Sequence, residues 1–198
     1  MRIFFLIILF ASQAFAQSYP SRPIKLVVGF APGGAADFVA RVLAEPLSKA
    51  LGAPVVVENK PGAGSSIAAE SVAKAAPDGY TVLIASPSSI LVNPLLNPNP
   101  GFQPLRDLAP VSKVSASPLV VAVNPSVGVS SLRELIDHAR KNPGKLNFAT
   151  SGNGAAPHLA AVLFQRLAGV EMVHVPYKGG GPARRSSRSP RRRPCCRW

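Results

Sequence analysis

The alternation of short apolar runs with glycine- and proline-rich turns organises this chain. Residues 26–30 (LVVGF) form an apolar run with β-branched residues, which indicates a buried strand. Residues 32–34 (PGG) break the run, and Asp37 stands where an N-cap or first-turn acid begins a helix. The apolar positions of that helix recur at helical spacing and are Val39, Val42, Leu43, Leu47, Ala50 and Leu51.

The turn at residues 32–34 also has chemical consequences. The first N–H groups of the following helix have no partners within it, and they face the carboxyl end of the strand. In an α/β sheet this is where an anion binds. A tight turn alone would also favour glycine at Gly33 and Gly34, but the position after the first strand favours binding.

The same alternation continues downstream. Residues 54–59 are predicted to form a second strand, residues 60–66 a second glycine turn, residues 67–76 a helix and residues 80–85 a third strand. Three strands that alternate with two helices within about 65 residues predict a parallel, doubly wound sheet.

The second half begins with weaker signals. Residues 111–114 and 119–123 are strand candidates. Ser130 or Ser131 caps the next helix, and Glu134, three residues after Ser131, completes a capping box. The apolar face of that helix comprises Leu132, Leu135, Ile136 and Ala139.

A strand, a small-residue turn and a helix then recur. Residues 146–149 are predicted as a strand, residues 150–158 as a polar turn, the segment to Ala168 as a helix and residues 173–177 as a last strand. Two α/β units therefore aim small-residue turns at a shared side, which indicates a cleft between two lobes.

The start of the chain has the three parts of a secretory signal peptide. Residues 1–2 carry a positive charge, residues 3–11 are apolar, and residues 14–16 (AFA) form a cleavage site. We expect cleavage after Ala16 and a periplasmic protein. A short membrane anchor is the alternative, but the apolar run is too short to span a bilayer with margin.

The formal net charge of +13 overstates how basic the body is. Residues 184–198 contribute seven of these charges and Arg2 one more, which leaves +5 for residues 17–183. A mildly basic body suits small anions and predicts no nucleic-acid partner. Both cysteines, Cys195 and Cys196, are adjacent near the end of the chain, so no metal-ligand spacing exists. We expect neither a metal nor a cofactor.

Residues 184–198 (RRSSRSPRRRPCCRW) differ in composition from the rest. They have no apolar period, so we expect disorder. An arginine-rich tail that binds nucleic acid or another polyanion is one interpretation of the segment. A reading frame shifted near codon 184 is the other, and we favour it because an exported protein meets little nucleic acid.

Several catalytic or nucleotide-binding motifs are missing. The turn at residues 62–67 lacks the third glycine of a dinucleotide fingerprint, and neither a P-loop nor a G-x-S-x-G nucleophile elbow occurs. Serines near His158 would suit a hydrolase, but no acid is placed to orient that histidine. We therefore expect no catalytic residue and no enzyme.

Seven ordered motifs from Tyr19 to Ala183 resemble the extracytoplasmic solute receptors of the tripartite tricarboxylate transporters, the TctC or Bug family. One alone would be weak, but together they span essentially the whole body. They are Tyr19-Pro20-x-x-Pro23-Ile24, Phe30-Ala31-Pro32-Gly33-Gly34-x-x-Asp37, Val56-Val57-Glu58-Asn59-Lys60-Pro61-Gly62-Ala63-Gly64, Ala76-Pro77-Asp78-Gly79-Tyr80-Thr81, Pro143-Gly144-Lys145-Leu146-Asn147, Ser151-Gly152-Asn153-Gly154-x-x-Pro157-His158-Leu159 and His174-Val175-Pro176-Tyr177-Lys178-Gly179.

The resemblance implies a type II periplasmic-binding-protein fold, an α/β architecture of two doubly wound lobes with a ligand cleft. It implies a receptor, expected to act as a monomer, that delivers a small carboxylate to the membrane components of the transporter. In that family, loops of both lobes hold the carboxylate with main-chain N–H groups, hydroxyls and waters. The substrate-binding residues carried over are Phe30, Ala31, Gly33, Gly34, Ser86, Ser88, Ser89, Thr150, Ser151, Asn153, Gly154 and His158.

Two lobes are expected along the chain. The first lobe is expected at residues 17–104 and the second at residues 105–183. Members of the family continue for roughly another hundred residues, the length of a typical domain. The arginine-rich segment replaces that part here. The resemblance therefore implies a truncated or frameshifted chain, with an incomplete second lobe and impaired binding.

Some of these residues have a second interpretation. Asp37 suits a helix cap better than a ligand contact, because a carboxylate repels an anion. The serines at residues 86–89 are ordinary loop residues by default. Only their position at the same sheet edge as the first turn favours a role in binding. His158 could pair with a carboxylate when charged, or it could hydrogen-bond the preceding loop and hold its shape. His174, within a strand, is expected to be structural.

Overall fold

The computed structural model describes residues 19–97, 99–187 and 195–197. The predicted signal peptide at residues 1–16 lies outside the described residues. The strands are β1 Ile24–Val28, β2 Val55–Asn59, β3 Thr81–Ile84, β4 Ala122–Val123, β5 Asn147–Thr150, β6 Val173–Pro176 and β7 Cys195–Arg197. The α-helices are α1 Ala35–Leu51, α2 Ser66–Ala73, α3 Asn93–Leu96, α4 Pro104–Asp107, α5 Leu132–Lys141, α6 Ala156–Ala168 and α7 Gly180–Ser187.

The first sheet has the order β2-β1-β3 and is parallel throughout, as predicted. Its central strand β1 is buried, with Val27 and Val28 almost fully covered. The strand ends at Val28, two residues earlier than predicted. The N–H of Lys60 takes the Val28 carbonyl as its acceptor, and Gly29 and Phe30 then bend away from the sheet.

Helix α1 begins after Gly34 and ends at Gly52, which adopts the left-handed conformation typical of a C-cap. Its predicted apolar face is wrong in part. Val39 and Leu43 are half-buried, but four of the predicted positions are exposed, namely Val42, Leu47, Ala50 and Leu51. The helix instead buries Asp37 and Ala40. Ala40 packs in one cluster with Leu26 and Val28 of the sheet, so the inward face follows small volume and hydrogen bonding rather than apolar periodicity.

The connection after β3 is more helical than predicted. Residues Ser88–Val92 form a π-helical turn that continues into α3, where the sequence predicted a loop. The strand candidates at residues 111–114 and 119–123 are wrong except for Ala122–Val123. Residues 111–121 are exposed, and no ladder forms with them among the described residues. Apolar content without a pairing edge does not make a strand.

The second sheet has the order β4-β7-β5-β6. Strand β5 is parallel to both of its neighbours, and β7 is antiparallel to β4. Helices α5 and α6 pack against it and bury its core, which contains Leu135, Ala139, Leu146, Phe148, Ala161, Ala168, Val170, Met172 and Cys196. The predicted two-sheet α/β architecture is thus present.

The prediction of disorder from Arg184 onward is wrong for residues 184–187 and 195–197. The first group completes α7, in which Ala183 is buried beside Ala149. The second group forms β7, whose Cys196 side chain is fully buried in the core. Strand β6 covers one edge of β5, and β7 pairs with the other edge. An open strand edge can pair with an extended segment even when that segment has no apolar period. The rest of the predicted tail lies outside the described residues.

Within the described part of the chain, no helix has the length and apolar content needed to cross a membrane.

Candidate functional site

A cleft of about 200 Å³ opens between the two sheets. Segments from both halves of the chain line it, which agrees with the predicted cleft between two lobes. The lining residues are Gly29, Phe30, Gly62, Ala63, Gly64, Ser65, Ser151, Gly152, Asn153, Pro176, Tyr177 and Lys178.

The predicted site residues divide into two groups. Three of them line the cleft, namely Phe30, Ser151 and Asn153. The others lie outside its lining and are Ala31, Gly33, Gly34, Ser86, Ser88, Ser89, Thr150, Gly154 and His158. Their contacts show how they shape the loops and join the two halves.

In the turn at residues 30–34, only Phe30 lines the cleft. Gly33 and Gly34 make their contacts at the start of α1 and with α7. The N–H of Gly33 donates to Asp37 Oδ2 at 2.9 Å. A Cβ at Gly34 would lie 3.5 Å from the main-chain nitrogens of residues 180–181, so this glycine packs against α7. The carboxylate of Asp37 therefore lies at this helix start, where the sequence predicted an anion.

Asp37 is buried and lies at the centre of a hydrogen-bonded network. Besides Gly33, it accepts hydrogen bonds from Arg41 Nε at 3.1 Å and Asn59 Nδ2 at 3.0 Å. Burial by itself would raise the pKa of Asp37, but the hydrogen bonds from Arg41, Gly33 and Asn59 outweigh it and lower the pKa below its ordinary value. Asn59 Nδ2 also donates to the Phe30 carbonyl at 2.9 Å, so the network positions the cleft wall.

The serine turn at residues 86–89 is used for structure. Ser89 Oγ donates to the Ser86 carbonyl at 2.9 Å. Ser88 Oγ accepts a hydrogen bond at 3.1 Å from the N–H of Ala156, the first residue of α6. Ser88 thereby satisfies an N–H group that α6 leaves without an intrahelical partner, and it connects the two halves of the molecule.

A second contact between the halves lies nearer the cleft. The N–H of Ala31 donates to the carbonyl of Lys178 at 2.8 Å. Residue 178 itself lines the cleft. The cleft is therefore closed on this side by main-chain pairing.

The loop at residues 150–154 is held from both ends by histidines. Thr150, fully buried, has its Oγ1 2.6 Å from His174 Nε2 and accepts a hydrogen bond from the Gly152 N–H at 3.2 Å. The N–H of Gly154 donates to His158 Nδ1 at 3.3 Å. Of the two roles left open for His158, the structure shows the hydrogen bond to the preceding loop.

The two histidine rings stack on one another. Their centroids are 4.1 Å apart, and His174 also stacks on Phe148 at 4.9 Å. Burial lowers the pKa of His158. Burial, followed by the neighbouring His158, lowers the pKa of His174 to about 4. Both imidazoles are therefore neutral at physiological pH.

The glycine turn at residues 60–66 was predicted from the sequence, but its residues 62–65 were not among the predicted site residues and line the cleft. It follows β2, so it leaves the first sheet at the same edge as the end of β1, and the rule applied to the first turn would have found it. Gly62, Gly64 and Ser65 all have positive φ. Among the described buried side chains, Ser65 Oγ is the N/O atom without a hydrogen-bond partner.

The residues that line the cleft include one basic side chain and no acidic one. Of the described residues that line it, Lys178 alone is charged at neutral pH and none is acidic. The remaining polarity comes from main-chain groups, the hydroxyls of Ser65, Ser151 and Tyr177 and the Asn153 amide. No group of three or more metal-ligating side chains comes together within the described residues. This arrangement can hold a small anion by hydrogen bonds and one ammonium group.

Comparison with known proteins identifies relatives. The profile described as "Tripartite tricarboxylate transporter family receptor" matches residues 39–188. Protein BugT of Bordetella pertussis is 45% identical over 174 residues, which cover 87% of this chain and 53% of BugT. The chain spans about half the length of the curated relatives it matches.

Solved structures agree. Periplasmic binding protein BugD superimposes with a TM-score of 0.77 at 38% identity, over 85% of this chain and 56% of BugD. Rpa4515 of R. palustris with adipate gives a TM-score of 0.82 at 38% identity, over 85% of this chain and 56% of that chain. The predicted periplasmic-binding-protein fold class is confirmed.

Proposed function

The chain belongs to the family of tripartite tricarboxylate transporter receptors, and on that premise we propose that it is a periplasmic solute receptor. It binds a small carboxylate and delivers the solute to the membrane components of a tripartite tricarboxylate transporter. It acts as a monomer, without a nucleic-acid partner, a cofactor or a metal.

The observation that carries the proposal is the composition of the cleft. Three segments of main chain rich in small residues converge there, together with Lys178, and no lining residue is acidic. Main-chain N–H groups, hydroxyls and amides satisfy carboxylate oxygens, and one ammonium group supplies an opposite charge. A related structure, Rpa4515, was solved with adipate, which is a carboxylate of this kind.

Two hydrogen bonds suggest how binding and closure are connected. The pairs Ala31–Lys178 and Ala156–Ser88 join the two halves on either side of the cleft. We infer that the halves separate to admit the solute and that these contacts form as they close around it.

Catalysis is not part of the proposal. Ser151 lies in the cleft, but His158 and His174 make their hydrogen bonds to Gly154 and Thr150. No carboxylate forms an ion pair with either ring among the described residues. A serine hydrolase needs an acid to orient its histidine.

Isothermal titration calorimetry of the chain with acetate, succinate, adipate and citrate tests the proposal. Circular dichroism first establishes that the protein is folded. We expect saturable heat with at least one carboxylate, and raised thermal stability in its presence. Folded protein that gives no heat with any of them would overturn carboxylate binding by this chain.

A further inference from the structure

The part of the second-half loop that lines the cleft is anchored at both ends by imidazole rings. Residues 151–153 line the cleft. On one side, Thr150 Oγ1 lies 2.6 Å from His174 Nε2. On the other, the Gly154 N–H donates to His158 Nδ1. Neither ring lines the cleft itself, so the histidines act on a ligand through the loop.

We propose that His158 is a positioning residue that holds this loop in its ligand-receiving shape only while its ring is neutral, so that acidification releases the loop and weakens carboxylate binding. This inference rests on the proposed function. It assigns to His158 a role in proton-sensitive binding without contact with the solute.

The neutral form is required by the hydrogen bond to Gly154. An N–H donor needs a lone pair opposite it, so Nδ1 must be unprotonated and the ring proton must lie on Nε2. Protonation would place an Nδ1–H against the Gly154 N–H. Two donors would then face each other, and Gly154, which is buried, would lose its acceptor.

The surroundings oppose a charge on this ring. The titratable group that faces His158 is His174, stacked at 4.1 Å, and the next ring in the stack is Phe148. Within the described residues no carboxylate forms an ion pair with either histidine. Burial lowers the pKa of His158 below its ordinary value of 6.5, and the pKa of His174 falls to about 4. Within the part of the chain that the structure describes, no paired carboxylate balances the charge that His158 gains when the pH falls.

Hydrogen exchange of the Gly154 amide tests the loop without any ligand. His158→Asn offers an oxygen near the position of Nδ1 and does not titrate, whereas His158→Leu has no acceptor. We expect Gly154 to be protected in the wild type near about pH 7.5 and in His158→Asn, and to exchange about tenfold faster in His158→Leu. His138→Asn is the matched control, because the ring of His138 is not part of the stack. It should leave the exchange rate of the Gly154 amide unchanged.

Adipate affinity, measured by calorimetry, tests the consequence. The affinity of the wild type should fall between about pH 7.5 and about pH 5. This fall should be at least about twofold larger than the fall measured for His158→Asn. Comparing the two proteins at each pH cancels the protonation of adipate itself. His158→Leu should bind about five- to tenfold more weakly than the wild type at the higher pH. If adipate gives no heat, the carboxylate that does so replaces it.

The outcomes separate the inference from the proposed function. Equal protection of Gly154 in all four proteins overturns the inference, and so does an identical pH dependence of binding in the wild type and His158→Asn. If no carboxylate binds the wild type while the exchange pattern is as expected, the proposed function fails and the role of His158 in the loop stands. Should His158→Leu not fold, His158→Asn alone still decides the pH dependence.

Discussion

At the scale of the residue, the two turns of the first half approach so closely that Gly29 has no room for a side chain. A Cβ there would overlap Ser65 Oγ and lie 2.8 Å from Ser65 Cα. Ser65 in turn adopts a φ of 79°, which costs a non-glycine residue about 1 kcal/mol or more. This wall of the cleft is therefore built by main-chain proximity.

Replacing Gly29 tests that proximity. Gly29→Ala should lower the free energy of unfolding by about 1–3 kcal/mol, because the neighbouring backbone must shift. Adding Ser65→Gly should restore part of the loss, since two of the overlapping atoms then disappear. Urea denaturation measures both variants. Gly180→Ala, which meets no atom within 4 Å, is the control and should be nearly neutral.

Asp37 makes folding depend on acid. Because its pKa is lowered in the folded state, its contribution is complete above the ordinary value of 3.8 and is lost as the pH falls through the folded value. Asp37→Asn should cost about 2 kcal/mol at neutral pH and flatten the stability profile below about pH 4. Denaturation across this range measures the effect. Glu45→Gln, which removes an exposed ion pair, should change little, and an equal loss there would contradict the assignment.

At the scale of the element, local rules succeeded where an element depends on its own residues. Helix α5 begins as its capping box predicts: Ser131 Oγ accepts from the Glu134 N–H at 3.2 Å. In the usual capping box the glutamate side chain accepts from the N–H of the N-cap residue. Here Glu134 Oε2 accepts from the N–H of Ser130, one residue before the N-cap. Of the predicted apolar face, Leu135 and Ala139 are buried, whereas Leu132 is 55% exposed. Strand β7 is the opposite case. Its own sequence did not predict a strand, and it forms through pairing with β4 and β5.

The cap of α5 can be tested with two adjacent serines. Ser131→Ala should destabilise the protein by about 1 kcal/mol, because the N–H of Glu134 loses its acceptor. Ser130→Ala keeps the main-chain N–H that donates to Glu134, so it should destabilise the protein by only about 0.3 kcal/mol. Thermal unfolding of both variants measures the difference. Equal effects would show that the side chain of Ser131 is not the cap.

At the scale of the whole molecule, the site exists because two sheets face one another. The three predicted residues that line the cleft, Phe30, Ser151 and Asn153, come from different halves. Ser88 and Ala31, which are also predicted site residues, form hydrogen bonds that join the two halves. The carboxyl edges of the strands could be located from sequence. Which side chains at those edges point into the cleft could not.

The contact between Ser88 and α6 should influence binding. Ser88→Ala removes the acceptor for the Ala156 N–H, and we expect carboxylate affinity to fall about three- to fivefold as the closed form is weakened. Calorimetry with a carboxylate that binds the wild type measures the change. Ser126→Ala, at an exposed position, is the control. Unchanged affinity in Ser88→Ala would show that this hydrogen bond does not contribute to closure.

The sequence by itself determined the strand–turn–helix units, the parallel pairing of the first sheet, the cap of α5 and the family. These features depend on local chemistry: the period of apolar side chains, the φ angles open to glycine and hydrogen bonds across three or four residues. Asp37 follows the local rule for a first-turn acid through Gly33 and Arg41, four positions away on either side. Gly52 follows the local rule for a helix end by adopting the left-handed conformation.

Tertiary structure alone decided which turns reach the cleft, what covers each helix and where the histidines meet. The turn at residues 62–65 lines the site, whereas Gly34 packs against α7. His158 and His174 stack although 16 residues separate them along the chain. Strand β7 forms where β5 offers an open edge. These arrangements depend on distances between segments that are far apart in sequence. The order of the strands and the contact between the two halves set those distances, and no local sequence pattern encodes them.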